Sequence, residues 1–584
     1  MIYRQEHPKP QFERSSWLNL NGKWQFEFDH CNSGRERKLF EVDKRYTKEI
    51  NVPFAPESQL SGIGFTDFMT SVWYKRDFEL TSSQLSGRVV LHFGAVDYIA
   101  VVYVNGVKAG EHKGGYTSFS FDVTNLVKEG VNQVCVNALD NPQAYDIPTG
   151  KQDKRFNPAG VLYTRCTGIW QTVWMEFTPK TYIKGIKFYP NIKDGSVNAV
   201  CDLVGAEKLV ATVTYKGKRV GYAKVESNGG RVGFTIKVTE VHLWEAGKGE
   251  LYDVQLCYGQ DQVKSYFGLR EVRIDGYKIL INEKVVFQRL VLDQGYYPDG
   301  IYTAPSDKAL ERDVLLSLEA GFNGARLHQK VFEERFLYHC DRLGYLVWGE
   351  FPSWIMQGGL AQTLQTVMPE WVETVERDFN HPSIIGWGPF NEMRVFRDEW
   401  NSVWHQPWRD FCRIFYDITK TLDPTRPVNL VSGGAHDIDE DGKLTYTDIV
   451  DGHNNAPDGK SFAEQFKNMP ESYYSSFLSR EEKIHGMPMY ISEYGTIWWW
   501  EDDPEEKLKH VGAPCVPQTK EEALELFRDV TKVLMDNPYM FGLCYVQLYD
   551  VEGEVNGIYT YDRRPKFDIE KIRKVLTSKA AIED

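Results

Sequence analysis

The chain has 584 residues, enough for about four domains of ordinary size or for one large barrel with smaller modules. A formal net charge of −14 disfavours nucleic acids and anionic membranes as partners, because both are bound through clustered Lys and Arg. Dispersed cysteines, a polar N-terminal segment and the lack of any long apolar run predict a cytoplasmic protein with reduced thiols, no signal peptide and no transmembrane helix.

Residues 1–180 consist of short apolar runs separated by turn signals. Val89–Phe93 and Ile99–Val104 are two such runs, and Asn105-Gly106 follows the second as a strong two-residue hairpin signal. Little of the region has helical period, so we predict a sandwich of short β-strands.

Residues 181–273 continue the β pattern in a more regular form. Ala211–Tyr215 and Arg219–Val225 flank the turn Lys216-Gly217-Lys218, and Leu251–Tyr258 reads as a further strand. Short alternating strands over about 90 residues are typical of an immunoglobulin-like sandwich.

Residues 274–584 alternate short apolar runs with helical patterns, which predicts a (β/α)₈ TIM barrel. One predicted helix begins after Ser306, a candidate N-cap. The next predicted helix ends before Gly344, a candidate left-handed cap. The predicted helices are Asp307–Leu318, Phe332–Leu343, Trp371–Phe379, Trp408–Leu422 and Glu521–Asp536. The predicted strands are Phe287–Asp293, Ala325–His328, Tyr345–Phe351, Ile384–Asn391, Val428–Ser432, Asp448–His453, Met489–Glu493 and Gly542–Asp550.

The fourth and the seventh predicted barrel strands lead into glutamates that are flanked by apolar runs, Glu392 and Glu493. Either residue alone could be structural, as a helix cap or as the partner of an Arg. Barrel active sites lie at the C-terminal ends of the strands, and these two strands face each other across the mouth. Two opposed carboxyl groups are what glycoside hydrolysis requires, with a separation of about 5–5.5 Å for the retaining route.

Several motifs make the whole chain resemble glycoside hydrolase family 2, the family of β-galactosidases, β-glucuronidases and β-mannosidases. The motifs are Trp17–Trp24, Gly168–Gln171, Leu251–Val254, His381–Glu392 and Ser492–Gly495. The resemblance implies a sugar-binding jelly roll (1–180), an immunoglobulin-like module (181–273) and a catalytic TIM barrel (274–584). It also implies that Glu392 is the acid/base and Glu493 the nucleophile of a retaining exo-β-glycosidase.

Further site residues are implied by the same resemblance. Asn391 matches a residue that binds the sugar 2-hydroxyl, although a helix N-cap is the alternative. Arg326 matches an Arg that keeps the nucleophile ionised, with a surface salt bridge as the alternative. The family often has a His three residues after this Arg. Gln329 occupies that place here, so His328, one position earlier, is either a substrate contact or a structural histidine.

The remaining candidates for substrate binding lie near the ends of other strands. Asp293 ends the first strand and either binds a sugar hydroxyl or forms a turn. Trp498 follows the nucleophile and either forms a sugar platform or packs in the core. His453 occupies the region of a family Tyr that supports the nucleophile, and Gln547 lies on the last strand.

The sugar is predicted from the segment before Gly557–Thr560. Family β-glucuronidases carry Asn-x-Lys there, whereas this chain has Glu554-Val555-Asn556, and an acid in that place would repel a uronate. The leading prediction is therefore a terminal β-linked, galactose-configured sugar. A galacturonide or glucuronide held by another cation, such as Arg394 or Lys330, is the alternative.

No His/Cys/Asp/Glu group in the sequence has convincing ligand spacing, so we predict no essential metal, and the chemistry requires no organic cofactor. A carbohydrate is the expected partner. A non-catalytic carbohydrate-binding protein is the alternative of another class, and a transglycosylase would share the covalent intermediate. The sequence leaves open the aglycone, the linkage, homo-oligomer formation and the residue that supports the nucleophile.

Overall fold

The computed structural model describes residues 2–354, 360–393, 405–433, 437–438, 444–509 and 515–584. Two β-sandwiches precede a parallel barrel sheet surrounded by helices, which confirms the predicted fold class. Within these ranges, no helix combines the length and the apolar character that crossing a bilayer requires.

The first sandwich consists of a six-stranded sheet, in the order β3-β2-β4-β10-β7-β8, and a four-stranded sheet, in the order β1-β12-β5-β9. Trp24, Tyr74 and Val136 are among the buried residues of its core. Asn105 and Gly106 have φ of 51° and 81°, the positive values that the predicted hairpin turn requires. The strands are β1 Trp17–Asn19, β2 Gly22–Phe28, β3 Lys48–Val52, β4 Ser71–Leu80, β5 Arg88–Phe93, β6 Val96–Asp97, β7 Ile99–Val104, β8 Val107–Lys113, β9 Phe119–Asp122, β10 Gly130–Leu139, β11 Gly168–Ile169 and β12 Val173–Thr178.

The second sandwich has sheets β13-β14-β17 and β16-β15-β18-β19. Its alternating strands place residues such as Val213, Val254 and Leu256 in a separate core. The predicted hairpin is present, with Tyr215 paired to Lys218 across the turn. The strands are β13 Tyr182–Asn191, β14 Ser196–Val204, β15 Glu207–Tyr215, β16 Lys218–Ser227, β17 Gly230–Lys237, β18 Tyr252–Tyr258 and β19 Asp261–Phe267.

The barrel contains a seven-stranded parallel sheet in the order β26-β25-β24-β23-β35-β34-β31. The fifth barrel position is filled by β28, which pairs in parallel with β27, the continuation of β26. The seven strands of this sheet are β23 Gln288–Asp293, β24 Gly324–Leu327, β25 Leu346–Glu350, β26 Ile384–Gly388, β31 Val450–His453, β34 Met489–Gly495 and β35 Met540–Val546, and the separate pair is β27 Phe390–Asn391 and β28 Val431–Ser432. Short strands outside the barrel sheet are β20 Val272–Asp275, β21 Lys278–Ile281, β22 Lys284–Val285, β29 Asp437–Ile438, β30 Leu444–Thr445, β32 Ser472–Ser475 and β33 Arg480–Lys483.

Two of the barrel helices begin or end at the capping residues that the sequence predicts. Ser306 accepts a hydrogen bond from the amide of Ala309 at the start of α1, and Gly344 ends α2 with a φ of 68°. The predicted start of α3 at Trp371 was wrong, because this helix continues through Pro369, a residue that usually interrupts helices. The helices are α1 Asp307–Ala320, α2 Glu334–Leu343, α3 Leu360–Asp378, α4 His405–Leu422, α5 Gly459–Glu464, α6 Pro504–Lys509, α7 Lys520–Met535 and α8 Ile569–Leu576, with a 3₁₀ turn at Ala581–Glu583.

The first sandwich packs directly on the barrel mouth through the segment around residues 149–167. The amide of Gly150 donates to the carbonyl of Pro352, 3.3 Å away, and the hydroxyl of Tyr163 donates to the carboxylate of Glu554. Trp170 is buried in the same core cluster as barrel residues. The mouth of the barrel is therefore built from two domains.

Candidate active site

Glu392 and Glu493 lie side by side at the barrel mouth. Glu392 follows β27 and Glu493 lies in β34, and their side chains are 13% and 19% exposed. One carboxylate oxygen of each residue and one ring nitrogen of His453 lie within 4.8 Å of one another. The carboxylates are thus close enough for the retaining arrangement and closer than inversion usually requires.

The local sequence presents Glu392 to the mouth. The run Ile384–Gly388 is fully buried, and the chain then pairs with β28 before Glu392. The amide of Glu392 donates to the carbonyl of Ser432 at 2.9 Å. Glu392 has a φ of 44°, a left-handed value that non-glycine residues seldom adopt and that is concentrated at functional sites.

Arg326 connects the nucleophile candidate to two other side chains. Its Nη1 donates to Glu493 Oε1 at 2.8 Å, its Nη2 to Asn391 Oδ1 at 2.6 Å, and its Nε to Glu350 Oε2 at 2.5 Å. The guanidinium is buried, so it is not part of a surface salt bridge. The contacts of this buried cation hold the carboxylate of Glu493 and the amide of Asn391 in fixed positions relative to each other.

Glu350 is a buried acid that the sequence did not single out. Besides Arg326, it accepts a hydrogen bond from the side chain of Gln329, and His328 Nδ1 lies 3.1 Å from its Oε1. Burial alone would raise the pKa of Glu350, but the charge of Arg326 and these contacts lower it to about 2. Its position at the end of β25 is the signal that could have identified it, because Glu493 was recognised on the same ground.

His453 lies between the two catalytic candidates. Its Nδ1 is 2.8 Å from Glu392 Oε1, and its Nε2 is 3.6 Å from Glu493 Oε1 and 3.0 Å from Ser432 Oγ. Burial lowers the pKa of His453, but the charge of Glu493 and the hydrogen bond to Glu392 outweigh burial and raise it. His453 thus supports both carboxylates from the region where the family pattern places a tyrosine. Asn454 instead donates its side-chain amide to Gln465 and to the carbonyl of Tyr474.

Trp354 is a second site residue that the sequence did not identify. Its indole Nε1 donates to Glu392 Oε2 at 3.1 Å, and its backbone amide donates to Gln329 Oε1 at 2.6 Å. The ammonium of Lys151, from the first sandwich, lies 4.0 Å from the centre of a Trp354 ring. Only the folded chain brings this lysine to the barrel, so no local signal could have revealed it.

The other predicted substrate residues have structural partners. Asp293 is buried and accepts from the hydroxyl of Tyr549 and, at 2.8 Å, from the amide of Gly295, which is the turn geometry given as its alternative. Burial raises the pKa of Asp293 to about 6. His328 is buried against Glu350, and burial lowers its pKa.

Trp498 and Gln547 follow the last two strands of the barrel, β34 and β35. Gln547 Nε2 donates to Asn556 Oδ1 at 2.8 Å, while its buried Oε1 has no hydrogen-bond partner among the described residues. Trp498 is half-buried, with its ring centre 5.7 Å from that of Trp500.

Glu554, the acid at the first Asn-x-Lys position, is buried and fully engaged. One oxygen accepts from Tyr163, and the other accepts from Asn556 Nδ2 at 3.0 Å. Lys330, one proposed uronate ligand, donates to the carbonyls of Gly295 and Tyr302 at 2.6 and 2.8 Å, and burial lowers its pKa to about 8. Arg394, the other proposed ligand, lies outside the described residues.

Glu392, His453 and Glu493 are the three side chains in the described ranges that could converge on a metal ion. The same carboxylates are the groups that glycosidic chemistry would use, and Arg326 and His453 already provide cationic or hydrogen-bonding partners. The absence of an essential metal therefore stays a prediction.

Comparison with known proteins gives a consistent assignment along the chain. Three family models match: "Glycosyl hydrolases family 2, sugar binding domain" at residues 18–173, "Glycosyl hydrolases family 2" at 181–270, and "Glycosyl hydrolases family 2, TIM barrel domain" at 272–498. A beta-glucuronidase of Paenibacillus borealis is 24% identical over 94% of this chain and 94% of its own length.

A second relative and a solved structure are also similar to this chain. A beta-galactosidase of Thermoanaerobacter pseudethanolicus is 27% identical over 74% of this chain and 57% of its own length. The solved structure of a beta-glucuronidase from an uncultured Clostridium sp. superposes with a TM-score of 0.79 at 22% identity, covering 98% of this chain and 100% of that one. The structural likeness supports the same three-part fold.

Proposed function

This chain belongs to glycoside hydrolase family 2, as its motifs predict, and from that premise we propose that it removes a terminal β-linked sugar by retaining double displacement. The observation that carries the proposal is the approach of a Glu392 and a Glu493 carboxylate oxygen to within 4.8 Å. In an inverting enzyme the two carboxyl groups lie further apart, because a water molecule must fit between one of them and the sugar. The shorter spacing here favours direct attack on the sugar by one carboxylate.

In the first step, Glu493 attacks the anomeric carbon while Glu392 donates a proton to the leaving oxygen. This forms the bond from Glu493 to the sugar and breaks the glycosidic bond. In the second step, Glu392 removes a proton from water, and the resulting attack on the anomeric carbon releases Glu493 and the sugar. Arg326 holds the nucleophile, while Trp354 and His453 orient the acid/base.

Asn391 contributes through the orientation of its amide. Because its Oδ1 accepts from Arg326, its nitrogen is the end that can donate to a sugar hydroxyl. We propose that it binds the 2-hydroxyl, where hydrogen bonds that strengthen in the transition state assist glycosidases.

For the sugar, we propose a β-linked uronide, a β-glucuronide or β-galacturonide. The names of the similar proteins are mainly beta-glucuronidase, which favours this class over the galactose-configured sugar that the sequence placed first. A neutral galactoside is the second candidate, favoured by the buried acid Glu554 and by the similarity to a beta-galactosidase.

A panel of nitrophenyl glycosides tests these proposals. It should contain the β-glucuronide, β-galacturonide, β-galactoside, β-mannoside and α-arabinoside, each measured as kcat/KM. We expect the highest value on a uronide. Turnover of the β-galactoside alone would replace the uronide proposal by the second candidate, and product analysis with an added sugar acceptor would detect transglycosylation.

A cytoplasmic location is proposed from composition alone and is tested by cell fractionation.

A further inference from the structure

Lys151 is fixed at the barrel mouth by the backbone around it. Its carbonyl accepts from the amide of Tyr163 at 2.8 Å, and the amide of Gly150 donates to Pro352 of the barrel. A Cβ atom at Gly150 would lie 2.2 Å from the carbonyl oxygen of Gln329. The backbone at Gly150 thus packs directly against the backbone of the barrel, with no space for a side chain. This contact fixes the position of the neighbouring Lys151.

The ammonium of Lys151 lies between the two sides of the candidate site. It is 4.0 Å from the centre of a Trp354 ring, and Trp354 donates to Glu392. It is also 5.9 Å from the ring of Tyr163, whose hydroxyl donates to Glu554. Lys151 therefore lies near both the indole that bonds Glu392 and the tyrosine that bonds Glu554.

The charge of Lys151 lacks an acceptor in the described part of the chain. The residue is only 6% exposed, yet its Nζ makes no hydrogen bond or ion pair there beyond the two ring contacts. Other buried lysines differ: Lys330 donates to two carbonyls, and Lys566 is paired with Asp550. Because the ammonium of this largely buried lysine has no anionic partner in the described ranges, a ligand carboxylate could accept a charge-assisted hydrogen bond from it without displacing an existing one.

We propose that Lys151 binds the carboxylate of a uronide substrate, an inference that rests on the uronide function proposed above. The cation that Glu554-Val555-Asn556 does not supply would then come from the first sandwich. Glu554 need not oppose this, because both of its oxygens already accept hydrogen bonds, from Tyr163 and Asn556. A carboxylate at Lys151 would gain a charge-assisted hydrogen bond in a largely desolvated place.

The test is the activity of Lys151→Gln and Lys151→Arg on nitrophenyl β-glucuronide, β-galacturonide and β-galactoside, with Lys180→Gln as the matched control. Lys180 is an exposed lysine of the same sandwich. We expect Lys151→Gln to lower kcat/KM on the preferred uronide by about 10-fold to 100-fold, the loss typical of a hydrogen bond to a charged group. The loss on the β-galactoside should be clearly smaller than the loss on the uronide, Lys151→Arg should retain much of the uronide activity, and Lys180→Gln should match the wild type.

Two failures can be told apart. If the wild type hydrolyses uronides but Lys151→Gln loses nothing, or loses equal factors on uronide and galactoside, the assignment of Lys151 is wrong and the uronide function stands. If the wild type turns over no uronide, the proposed sugar class fails and the assignment fails with it. A second measurement compares the Kd for D-glucuronic acid of the Glu493→Gln variant with that of the Glu493→Gln/Lys151→Gln double variant. Equal Kd values would overturn the assignment of Lys151, whether or not the Tm of the double variant is shifted.

Discussion

Arg326 illustrates how single residues define this site, because each of its three side-chain nitrogens donates to a different residue: Glu493, Asn391 or Glu350. One planar guanidinium thereby fixes the proposed nucleophile, the amide proposed to bind the sugar, and a buried acid relative to one another. Glu350 in turn stays ionised, with a pKa of about 2, so the cation keeps a permanent counter-charge when Glu493 is consumed in the covalent intermediate.

The roles proposed for Glu392 and Glu493 predict different responses to the leaving group. Glu493→Gln should abolish measurable turnover of every β-glycoside, because no glycosyl-enzyme can form. Glu392→Gln should lose about 10²-fold to 10⁴-fold on an alkyl glycoside and much less on a dinitrophenyl glycoside, whose leaving group needs no proton for the first step. Steady-state kinetics on both substrates measure this difference, and equal losses for the two variants would contradict the assignment of roles.

His453 predicts a stability effect that depends on pH. Its pKa is raised in the folded protein, so protonation favours folding: the contribution is fully present below the ordinary pKa of about 6.5 and is lost as pH rises through the folded value. The Tm advantage of the wild type over His453→Gln should therefore be largest near pH 6 and shrink by pH 9. His30→Gln, which changes an exposed imidazole, is the control. A Tm difference independent of pH would exclude this coupling.

At the scale of elements, burial fixes the strands that carry the two glutamates, and a glycine ends one of the helices. The fully buried run of β26 and the largely buried β34 leave few alternatives to a position inside the barrel wall. Gly344 ends α2 in the left-handed region, and a Cβ atom there would lie 2.3 Å from the amide nitrogen of Lys248. One glycine thus serves as both a helix cap and a contact with the second sandwich.

Substitution of Gly344 separates these two effects. Gly276 also has a positive φ, of 58°, but nothing lies within 4 Å of its added Cβ, so Gly276→Ala should cost only the backbone strain of about 1–2 kcal/mol. Gly344→Ala must also displace backbone atoms and should lower the Tm by clearly more. Thermal denaturation of the two variants measures the difference, and equal Tm values would show that the contact yields without cost.

At the scale of the whole molecule, the first sandwich is part of the site rather than an appendage. Tyr163 and Lys151 reach the mouth, and on another face Glu370 of α3 accepts from the amide of Tyr116 at 2.7 Å. Burial raises the pKa of Glu370 to about 8, and its Oε2 has no hydrogen-bond partner in the described ranges. The domain interface therefore contains an acid that is neutral in the folded state near pH 7.

Glu370 predicts how this interface responds to alkali. Its folded pKa of about 8 exceeds the ordinary 4.5, so its contribution favours folding fully below pH 4.5 and is lost as pH rises through about 8. Glu370→Gln keeps the acceptor for Tyr116 and cannot ionise, so its Tm relative to the wild type should rise between pH 5 and pH 9. A wild type and variant with parallel pH profiles would contradict a buried, protonated Glu370.

Several features were determined by the sequence itself, because their signals are local. The alternation of apolar runs and helices predicted the barrel, Ser306 and Gly344 marked helix ends, and Glu392 and Glu493 were identified by the apolar strands before them. The predicted helix Trp371–Phe379 began too late, since α3 begins at Leu360 and continues through Pro369.

Only the tertiary structure decided which side chains support the pair. Glu350 and Trp354 come from a neighbouring strand and its loop, His453 bridges both carboxylates, and Lys151 arrives from another domain. Such contacts join residues far apart in the chain; a strand end could mark Glu350 as a candidate, but no periodicity or spacing encodes which partners these side chains meet. Burial then sets their charge states, since desolvation and neighbouring charges exist only once the chain has folded.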